Sequence, residues 1–107
     1  MYYIYMLRCM DNSIYTGITV DIDRRMEEHF SKNEKCAKYT FTHSAKKLEA
    51  VWECENKSLA SKLEYAIKKL TKQKKEELIK TKNLDSAFHN NEKIDIENYK
   101  IINKTKK

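Results

Sequence analysis

Arg25 is the first candidate for chemistry, because its side chain is placed where it could bind a phosphate group. On its predicted helix it lies between Ile22 and His29, so it borders the apolar face one turn before a histidine. A guanidinium held there presents paired N–H donors that match phosphate oxygens. The alternative is an arginine whose stem covers apolar surface while its head stays in water. The neighbouring Arg24 faces Glu28 at i+4, which predicts an ordinary surface ion pair.

Glu64 is the second candidate, because its carboxylate is expected beside apolar residues. On a later predicted helix it lies between Ala60 and Ile67, at the margin of the apolar face. A carboxylate there is costly unless it is paired or bound to a cation. Two partners are open: a salt bridge to Arg25, or a hard metal ion that prefers oxygen ligands.

Two tyrosine motifs and the only glycine of the chain lie on two predicted strands joined by one turn. The first motif is Tyr3-Ile4-Tyr5 and the second is Tyr15-Thr16-Gly17. A lone glycine in a strand marks a bulge or a close approach to the backbone. Whether Tyr5 and Tyr15 share a face depends on the register. A three-residue loop, with Cys9 opposite Tyr15, puts them on the same side, and a two-residue loop puts them on opposite sides.

The elements that position these residues follow from hydrophobic patterning. Extended patterns predict three strands, at 2–9, 13–19 and 47–54, the last with Leu48, Ala50 and Trp52 on one face. Helical spacing predicts three main helices, from Asp21 to about Ser31, from Ser58 to Leu70, and over about 72–82. This order implies an α/β fold in which helices flank a small three-stranded antiparallel sheet. We expect one domain over residues 1–82, followed by an extension, 83–107, of uncertain structure.

Composition excludes several classes of protein. The chain has 107 residues, of which 40% are hydrophobic, enough for one compact domain with a modest core. No apolar run approaches 18 residues and the start does not resemble a signal peptide, so we expect no membrane span and no export. Cys9, Cys36 and Cys54 are odd in number and widely spaced, which indicates reduced thiols of a cytoplasmic protein.

The positive charge is concentrated on one predicted helix. The net charge is +6, and residues 68–82 alone carry 7 lysines against 2 glutamates. Such a stripe suits a polyanion, because lysine contacts to phosphates release condensed counterions. Lys72, Lys74 and Lys75 are therefore candidate contacts to a nucleic acid. The alternative is a solvated helix face with no ligand.

In their order along the chain, these features resemble the GIY-YIG nuclease domain. The elements are Tyr3-Ile-Tyr5, Tyr15-Thr-Gly17, and single residues on two later helices, Arg25, His29 and Glu64. The closest similarity is to small stand-alone bacterial members of the UPF0213 type, which share segments like CAKYT at 36–40 and LEYAIKKL at 63–70. The resemblance covers about residues 2–80. Tyr3 replaces the first glycine of the family's motif, and Asn83 matches its late asparagine only loosely.

The resemblance implies a metal-dependent DNA endonuclease that hydrolyses phosphodiester bonds with one divalent ion, Mg²⁺ or Mn²⁺. Glu64 would ligate that ion. Tyr5 would activate or orient the attacking water, with His29 passing on the proton. Tyr15 would hold the phosphate or the water, and Arg25 would stabilise the extra negative charge of the transition state.

The resemblance also implies contacts to the substrate. Gly17 would let the substrate approach the backbone closely, and Tyr39 and Thr40 would touch it. A domain of this size offers limited surface for reading bases, which favours single-stranded or branched DNA, with RNA also compatible. Two alternatives stay open: a non-catalytic nucleic-acid-binding module that retains the fold, and a structural protein in which Arg25 and Glu64 form a plain ion pair.

Overall fold

A computed structural model describes residues 1–31 and 37–103 of the chain and shows a four-stranded antiparallel sheet flanked by helices. The strands are β1 (Tyr2–Cys9), β2 (Ile14–Thr19), β3 (Ala45–Cys54) and β4 (Lys100–Ile102), and their order in the sheet is β2-β1-β3-β4. The helices are α1 (Ile22–Ser31), α2 (Lys38–Thr42), α3 (Lys57–Lys68), α4 (Lys72–Thr81) and α5 (Leu84–Phe88), followed by a 3₁₀ turn at Ile96–Asn98. The predicted α/β fold is confirmed, with four strands instead of three.

The fourth strand comes from the segment after residue 82. β4 pairs with β3, with Ile101 opposite Trp52. The Tyr99 hydroxyl donates to the carbonyl oxygen of Leu59 on α3, at 2.6 Å. Asn83 caps α5, since its side-chain oxygen accepts from a backbone N–H two residues on. The segment also contributes apolar side chains to the core on that side of the sheet, namely Leu84, Phe88, Ile94 and Tyr99.

The register of the β1–β2 hairpin places both tyrosines on one face of the sheet. Tyr5 lies opposite Gly17, and Leu7 lies opposite Tyr15. The connection is longer than either predicted loop and passes through Asn12, whose φ of 70° is left-handed. Relative to the predicted three-residue loop the register is shifted by two residues. A shift of two preserves the alternation of faces, so the same-side arrangement is confirmed.

The two faces of the sheet carry two separate cores. Ile4 and Met6 of β1 belong to the larger core, with α3, α4 and the C-terminal segment. Tyr5 and Leu7 belong to the smaller core, which α1 covers. The odd-numbered residues of β1 therefore share their face with the helix that carries Arg25 and His29.

A β-bulge in β3 overturns one prediction about these faces. Met6 pairs with Ala50 while the next residue, Leu7, pairs with Leu48, so β3 has one extra residue here. Ala50 therefore faces the larger core and Leu48 faces the smaller one, although the alternating pattern put them on one side. Periodicity assumes an unbroken ladder, and the bulge breaks it.

Two of the three cysteines are described and both are buried, free thiols, Cys9 and Cys54. Burial raises the pKa of both. The sequence also predicts a short helix around Glu34–Tyr39. Residues 34–36 of it, including Cys36, lie outside the described residues. Across the described parts of the chain, every helix is too short or too polar to cross a membrane.

Candidate active site

Tyr5 and His29 form the buried end of the candidate site. Asp21 caps α1 by accepting a hydrogen bond from the backbone N–H of Arg24 at 3.1 Å. With the helix starting at this point, His29 lies on its buried face, toward the sheet. The Tyr5 hydroxyl is then 2.7 Å from Nε2 of His29. Tyr5 is 1% exposed and His29 is 0% exposed, so this hydrogen bond is buried in the free protein.

Burial fixes the protonation states of this pair. It raises the pKa of Tyr5 well above the usual range, the neighbouring Tyr15 adds to the effect, and the Arg25 guanidinium opposes it. Burial also lowers the pKa of His29 to about 4, and the positive charge of Arg25 contributes in the same direction. Both groups are therefore neutral at pH 7, and the imidazole is free to accept a proton.

Gly17 is required because the Tyr5 ring lies directly over it. A Cβ atom added at Gly17 would come within 2.5 Å of the Tyr5 oxygen and 3.0 Å of the Tyr15 ring. Gly17 does not adopt a positive φ, so the requirement is steric and not conformational. The prediction placed a substrate beside this glycine, whereas the structure places a catalytic candidate there.

Thr40 lies on the far side of His29. Its Oγ1 is 2.6 Å from Nδ1 of His29 and 3.1 Å from the carbonyl oxygen of Ala37. Thr40 is fully buried, so it has no surface to offer a substrate, in contrast to the contact implied by the resemblance. Tyr5, His29 and Thr40 thus form one hydrogen-bonded chain through the interior, hereafter the relay.

Tyr15 connects the relay to the surface. Its ring centroid lies 6.1 Å from that of Tyr5 and 5.5 Å from that of His29. On the outer side Tyr39 stacks on it at 5.6 Å, and His43 stacks on Tyr39 at 4.2 Å. Tyr39 is half-buried, so an aromatic surface extends from the site to the protein exterior.

Arg25 is held at the edge of the relay by Glu28. Its Nη1 is 2.7 Å from a Glu28 carboxylate oxygen, so the partner of Glu28 is Arg25 instead of the predicted Arg24. Burial lowers the pKa of Arg25, but hydrogen bonds to Glu28 and Tyr5 more than offset this and leave the pKa raised. The side chain stays 22% exposed, which leaves the cation accessible to an anionic ligand.

Glu64 approaches the same tyrosines from α3. Its carboxylate pairs with Lys68 on its own helix at 3.4 Å, so the salt bridge to Arg25, one of the two partners left open by the sequence, is not formed. The Lys68 ammonium lies 6.0 Å from the Tyr15 ring centroid. After the larger effects of burial and Tyr15, the Glu64 charge also raises the pKa of Tyr5. Glu64 and Lys68 therefore lie on the side of α3 that faces Tyr5 and Tyr15. This pair is hereafter called the rim.

Glu64 is the candidate metal ligand within the described part of the chain. Among the described residues there is no group of three His, Cys, Asp or Glu side chains with metal-binding geometry. Mg²⁺ commonly binds through one or two carboxylates and keeps several waters that substrate phosphates can replace. A carboxylate that is 23% exposed and held only by one exposed lysine fits that mode of binding.

The three predicted substrate lysines line two different cavities. Lys72 and Lys75 line a cavity of about 380 Å³ with Tyr39 and the hairpin turn. Lys74 lines a larger one of about 760 Å³ with Tyr65, and that cavity contains none of the five candidate catalytic residues. The larger volume is therefore not the candidate active site, because the relay and the rim lie elsewhere.

Arg8 links the hairpin to α4 and to β3, a role that the sequence pattern did not predict. Its guanidinium makes two 2.5 Å bonds to Glu76 and one of 3.0 Å to Glu49. The bonds from Arg8 lower the pKa of Glu76 to about 2. Lys72 also pairs with Glu76 at 3.1 Å and bonds to the backbone oxygen of Asn12. An arginine in an otherwise apolar strand was the available signal.

Comparisons with known proteins show the family of this chain. The family model of the GIY-YIG catalytic domain matches residues 1–77. A UPF0213 protein of Fusobacterium nucleatum is 53% identical over 78 residues, which is 73% of this chain and 76% of the relative. A UPF0213 protein of Clostridium perfringens is 40% identical over 93 residues, which is 86% of this chain and 97% of the relative.

A solved structure gives the same result for the fold. The solution NMR structure of a UPF0213 protein from Bacillus halodurans superposes with a TM-score of 0.50 at 31% identity, over 89% of this chain and 100% of the other. The matched region contains the tyrosine hairpin, α1 and α3, which carry all five candidate catalytic residues. The chain belongs to the GIY-YIG family, within its group of small UPF0213 proteins.

Proposed function

We propose that this protein is an endonuclease that hydrolyses DNA phosphodiester bonds with one divalent ion, Mg²⁺ or Mn²⁺. The observation that carries the proposal is the buried 2.7 Å hydrogen bond between Tyr5 and a His29 that is neutral at pH 7. A phenol alone is a poor base at this pH, but a phenol bonded to a free imidazole can pass a proton on.

The proton path needs no group beyond these two. As a water attacks the phosphorus, it gives a proton to the Tyr5 oxygen, and the Tyr5 proton moves to Nε2 of His29. Tyr5 ends the step as a neutral phenol and His29 as an imidazolium. The low pKa of His29 opposes that charge, partly because Arg25 is close. A phosphate bound by Arg25 offsets this positive charge and so favours the protonated imidazole.

Arg25 and Glu64 act on the phosphate from two sides. Arg25, braced by Glu28, donates to a non-bridging oxygen and stabilises the charge that develops there. Glu64 would hold the divalent ion, which supplies polarisation of the phosphodiester and charge neutralisation at the departing oxygen. Tyr15, whose ring lies beside those of Tyr5 and His29, orients the phosphate or the water. All five catalytic candidates lie within residues 1–82.

Single-stranded or branched DNA is the substrate class that the outer surface favours. The Tyr15–Tyr39–His43 stack is partly accessible, and unpaired bases stack on aromatic rings in a sequence-tolerant way. Lys75 stands beside Tyr39 in the smaller cavity and supplies a phosphate contact. RNA offers the same bases and phosphates, so it belongs in the test. Free, buried thiols at Cys9 and Cys54 are consistent with a cytoplasmic location.

The test is cleavage of labelled single-stranded, duplex and branched DNA and of RNA, with Mg²⁺, with Mn²⁺ and with chelator. Wild type should cut in a metal-dependent way, and Glu64→Gln should not. Glu77→Gln is a matched control, because it removes an exposed carboxylate of α4 that lies outside the site. Salt-sensitive binding without any cutting would instead identify a nucleic-acid-binding module, and equal cutting by Glu64→Gln would move the active site elsewhere.

A further inference from the structure

The hydroxyl of Thr40 makes two contacts, and only one of them can be a donation. Oγ1 lies 2.6 Å from Nδ1 of His29 and 3.1 Å from the carbonyl oxygen of Ala37. A threonine hydroxyl carries one proton, whereas a carbonyl oxygen can only accept. The direction of this one hydrogen therefore decides which nitrogen of the neutral His29 ring carries the other proton.

We infer that Thr40 is a positioning residue that fixes the tautomer of His29, with the proton on Nδ1 and the lone pair on Nε2. The Thr40 hydroxyl donates to Ala37, so its oxygen accepts from Nδ1–H. Nε2 then faces the Tyr5 hydroxyl as an acceptor. The catalytic consequence rests on the proposed nuclease function, whereas the tautomer is a property of the free protein.

The opposite direction would leave a buried donor without an acceptor. If Thr40 donated to Nδ1, Nε2 would carry the proton and donate to the Tyr5 oxygen. The nearby Arg25 guanidinium, whose charge lowers the pKa of Tyr5, can only donate and so cannot accept the Tyr5 proton. The Tyr5 proton would then need another acceptor, and in the described part of the chain the atom bonded to this hydroxyl is Nε2 itself. The inferred direction gives every donor of the relay a partner, as buried polar groups require.

The inferred tautomer is the one that the proton path requires. Nε2 can take the Tyr5 proton only if it carries a lone pair at that moment. With the other tautomer, Tyr5 faces an N–H group and has nowhere to pass its proton. Thr40 thus acts through His29 and touches neither the substrate nor the reacting atoms, which agrees with its complete burial.

The direct test reads the tautomer by long-range ¹H–¹⁵N correlation NMR at pH 7, without DNA or metal. His29 in the wild type should show a protonated Nδ1 and a bare Nε2. Thr40→Ser should keep this pattern, and Thr40→Val should lose it. Thr42→Val is the matched control, because the Thr42 hydroxyl on the same helix bonds only to backbone oxygens. A wild-type ring protonated on Nε2 overturns the inference, as does an unchanged pattern in Thr40→Val.

Cleavage kinetics test the consequence. Thr40→Val should lower kcat on the order of 10- to 100-fold with little change in KM, as expected when a partner that orients a catalytic histidine is lost. Thr40→Ser should recover most of the rate. Equal rates for the two variants would overturn the positioning role.

Tyr5→Phe keeps the inference testable if Thr40→Val does not fold. This variant removes the other hydrogen-bond partner of the ring, so the Nδ1–H pattern should persist if Thr40 sets it. A change of tautomer in Tyr5→Phe would show that Tyr5 sets it and would overturn the inference. If the wild type cuts no nucleic acid but shows the Nδ1–H pattern, the proposed function fails and the tautomer inference is supported.

Discussion

The two sides of Tyr15 differ in how their polar atoms are held. On the inner side, the relay is buried and its hydrogen bonds measure 2.6 to 3.1 Å. On the outer side, the rim pairs Glu64 with Lys68 at 3.4 Å, with the side chains 23% and 51% exposed. The relay is thus fixed by burial, whereas the rim is open to water and ions.

This difference matches what each side must do. Burial shifts pKa values strongly and so fixes which group gives and which accepts a proton. An exposed ion pair contributes only about 0 to 1 kcal/mol, so another cation can displace the lysine at little cost. We expect changes at the rim to affect activity alone, and changes around the relay to affect both activity and folding.

The largest effect is expected at the rim, from Glu64→Gln. Metal-dependent cleavage should become undetectable, because the candidate metal ligand loses its charge. The free energy of unfolding should change by less than about 1 kcal/mol, since only an exposed pair is lost. Urea denaturation beside the cleavage assay measures both. A large loss of stability would mean that Glu64 is structural, which would remove the contrast between the two sides.

Arg25→Ala tests the boundary between the two sides. Cleavage should slow on the order of 10²- to 10³-fold, because the variant loses a donor that stabilises developing negative charge. Arg24→Ala is the matched control, since it removes the adjacent cation, which lies on the exposed side of α1. Single-turnover rates at saturating enzyme separate this chemical effect from weaker binding. Equal losses in the two variants would reduce the role of Arg25 to general attraction of the substrate.

Gly17→Ala tests how tightly the relay is packed. The added methyl must displace the Tyr5 ring, whose oxygen lies 2.5 Å from the Cβ position. Overpacking of this kind costs about 1 to 3 kcal/mol of stability, and the displaced hydroxyl should lose its bond to His29. Activity should therefore fall at least about tenfold. Thermal unfolding and the cleavage rate check both effects, and a fully active, stable variant would show that the ring is free to move.

Gly17 also shows what the sequence could and could not predict. As a lone glycine in a strand, it indicated that another group comes close to the backbone there. The resemblance indicated which residues lie near it. The approaching group turned out to be Tyr5, because the hairpin register sets the two residues opposite each other. Register depends on the loop geometry, which residue types alone did not determine.

Long-range contacts explain the other differences between prediction and structure. The three helices and the sheet gave strong periodic signals, whereas the three-residue β4 is too short to give one. The burial of Thr40 against His29 and the partners of Arg8 depend on how elements that are far apart in the sequence pack together. Arg8 and Glu49, for example, are 41 residues apart. Chemistry-bearing residues were therefore easier to identify than the partners that hold them.

The relay should also give the protein a pH-dependent stability. The pKa of His29 is lowered to about 4 in the folded protein, against about 6.5 when unfolded. The unfolded chain therefore binds this proton first as the pH falls, and stability is lost between about pH 6.5 and 4, by about 3 kcal/mol in total.

Urea denaturation at pH 7, 6 and 5 measures this loss. His29→Gln should flatten the dependence over that range. The lowered pKa values of Glu76 and Asp11 come from ion pairs and hydrogen bonds, and they act at lower pH. An unchanged slope in His29→Gln would mean that another group carries the dependence.

The smallest effect is expected from the lysines, and it should differ between neighbours. Lys72 is already paired with Glu76 and with a backbone oxygen, whereas no described carboxylate lies within 4 Å of Lys75. Lys75→Gln should therefore weaken DNA binding a few-fold and reduce the salt dependence by about one phosphate contact, while Lys72→Gln should do less. Binding isotherms at several salt concentrations measure this. Equal effects of the two substitutions would mean that Lys72 leaves Glu76 to bind DNA. The exposed ion pair of α4 would then open when a ligand binds, as we expect for the Glu64–Lys68 pair of the rim.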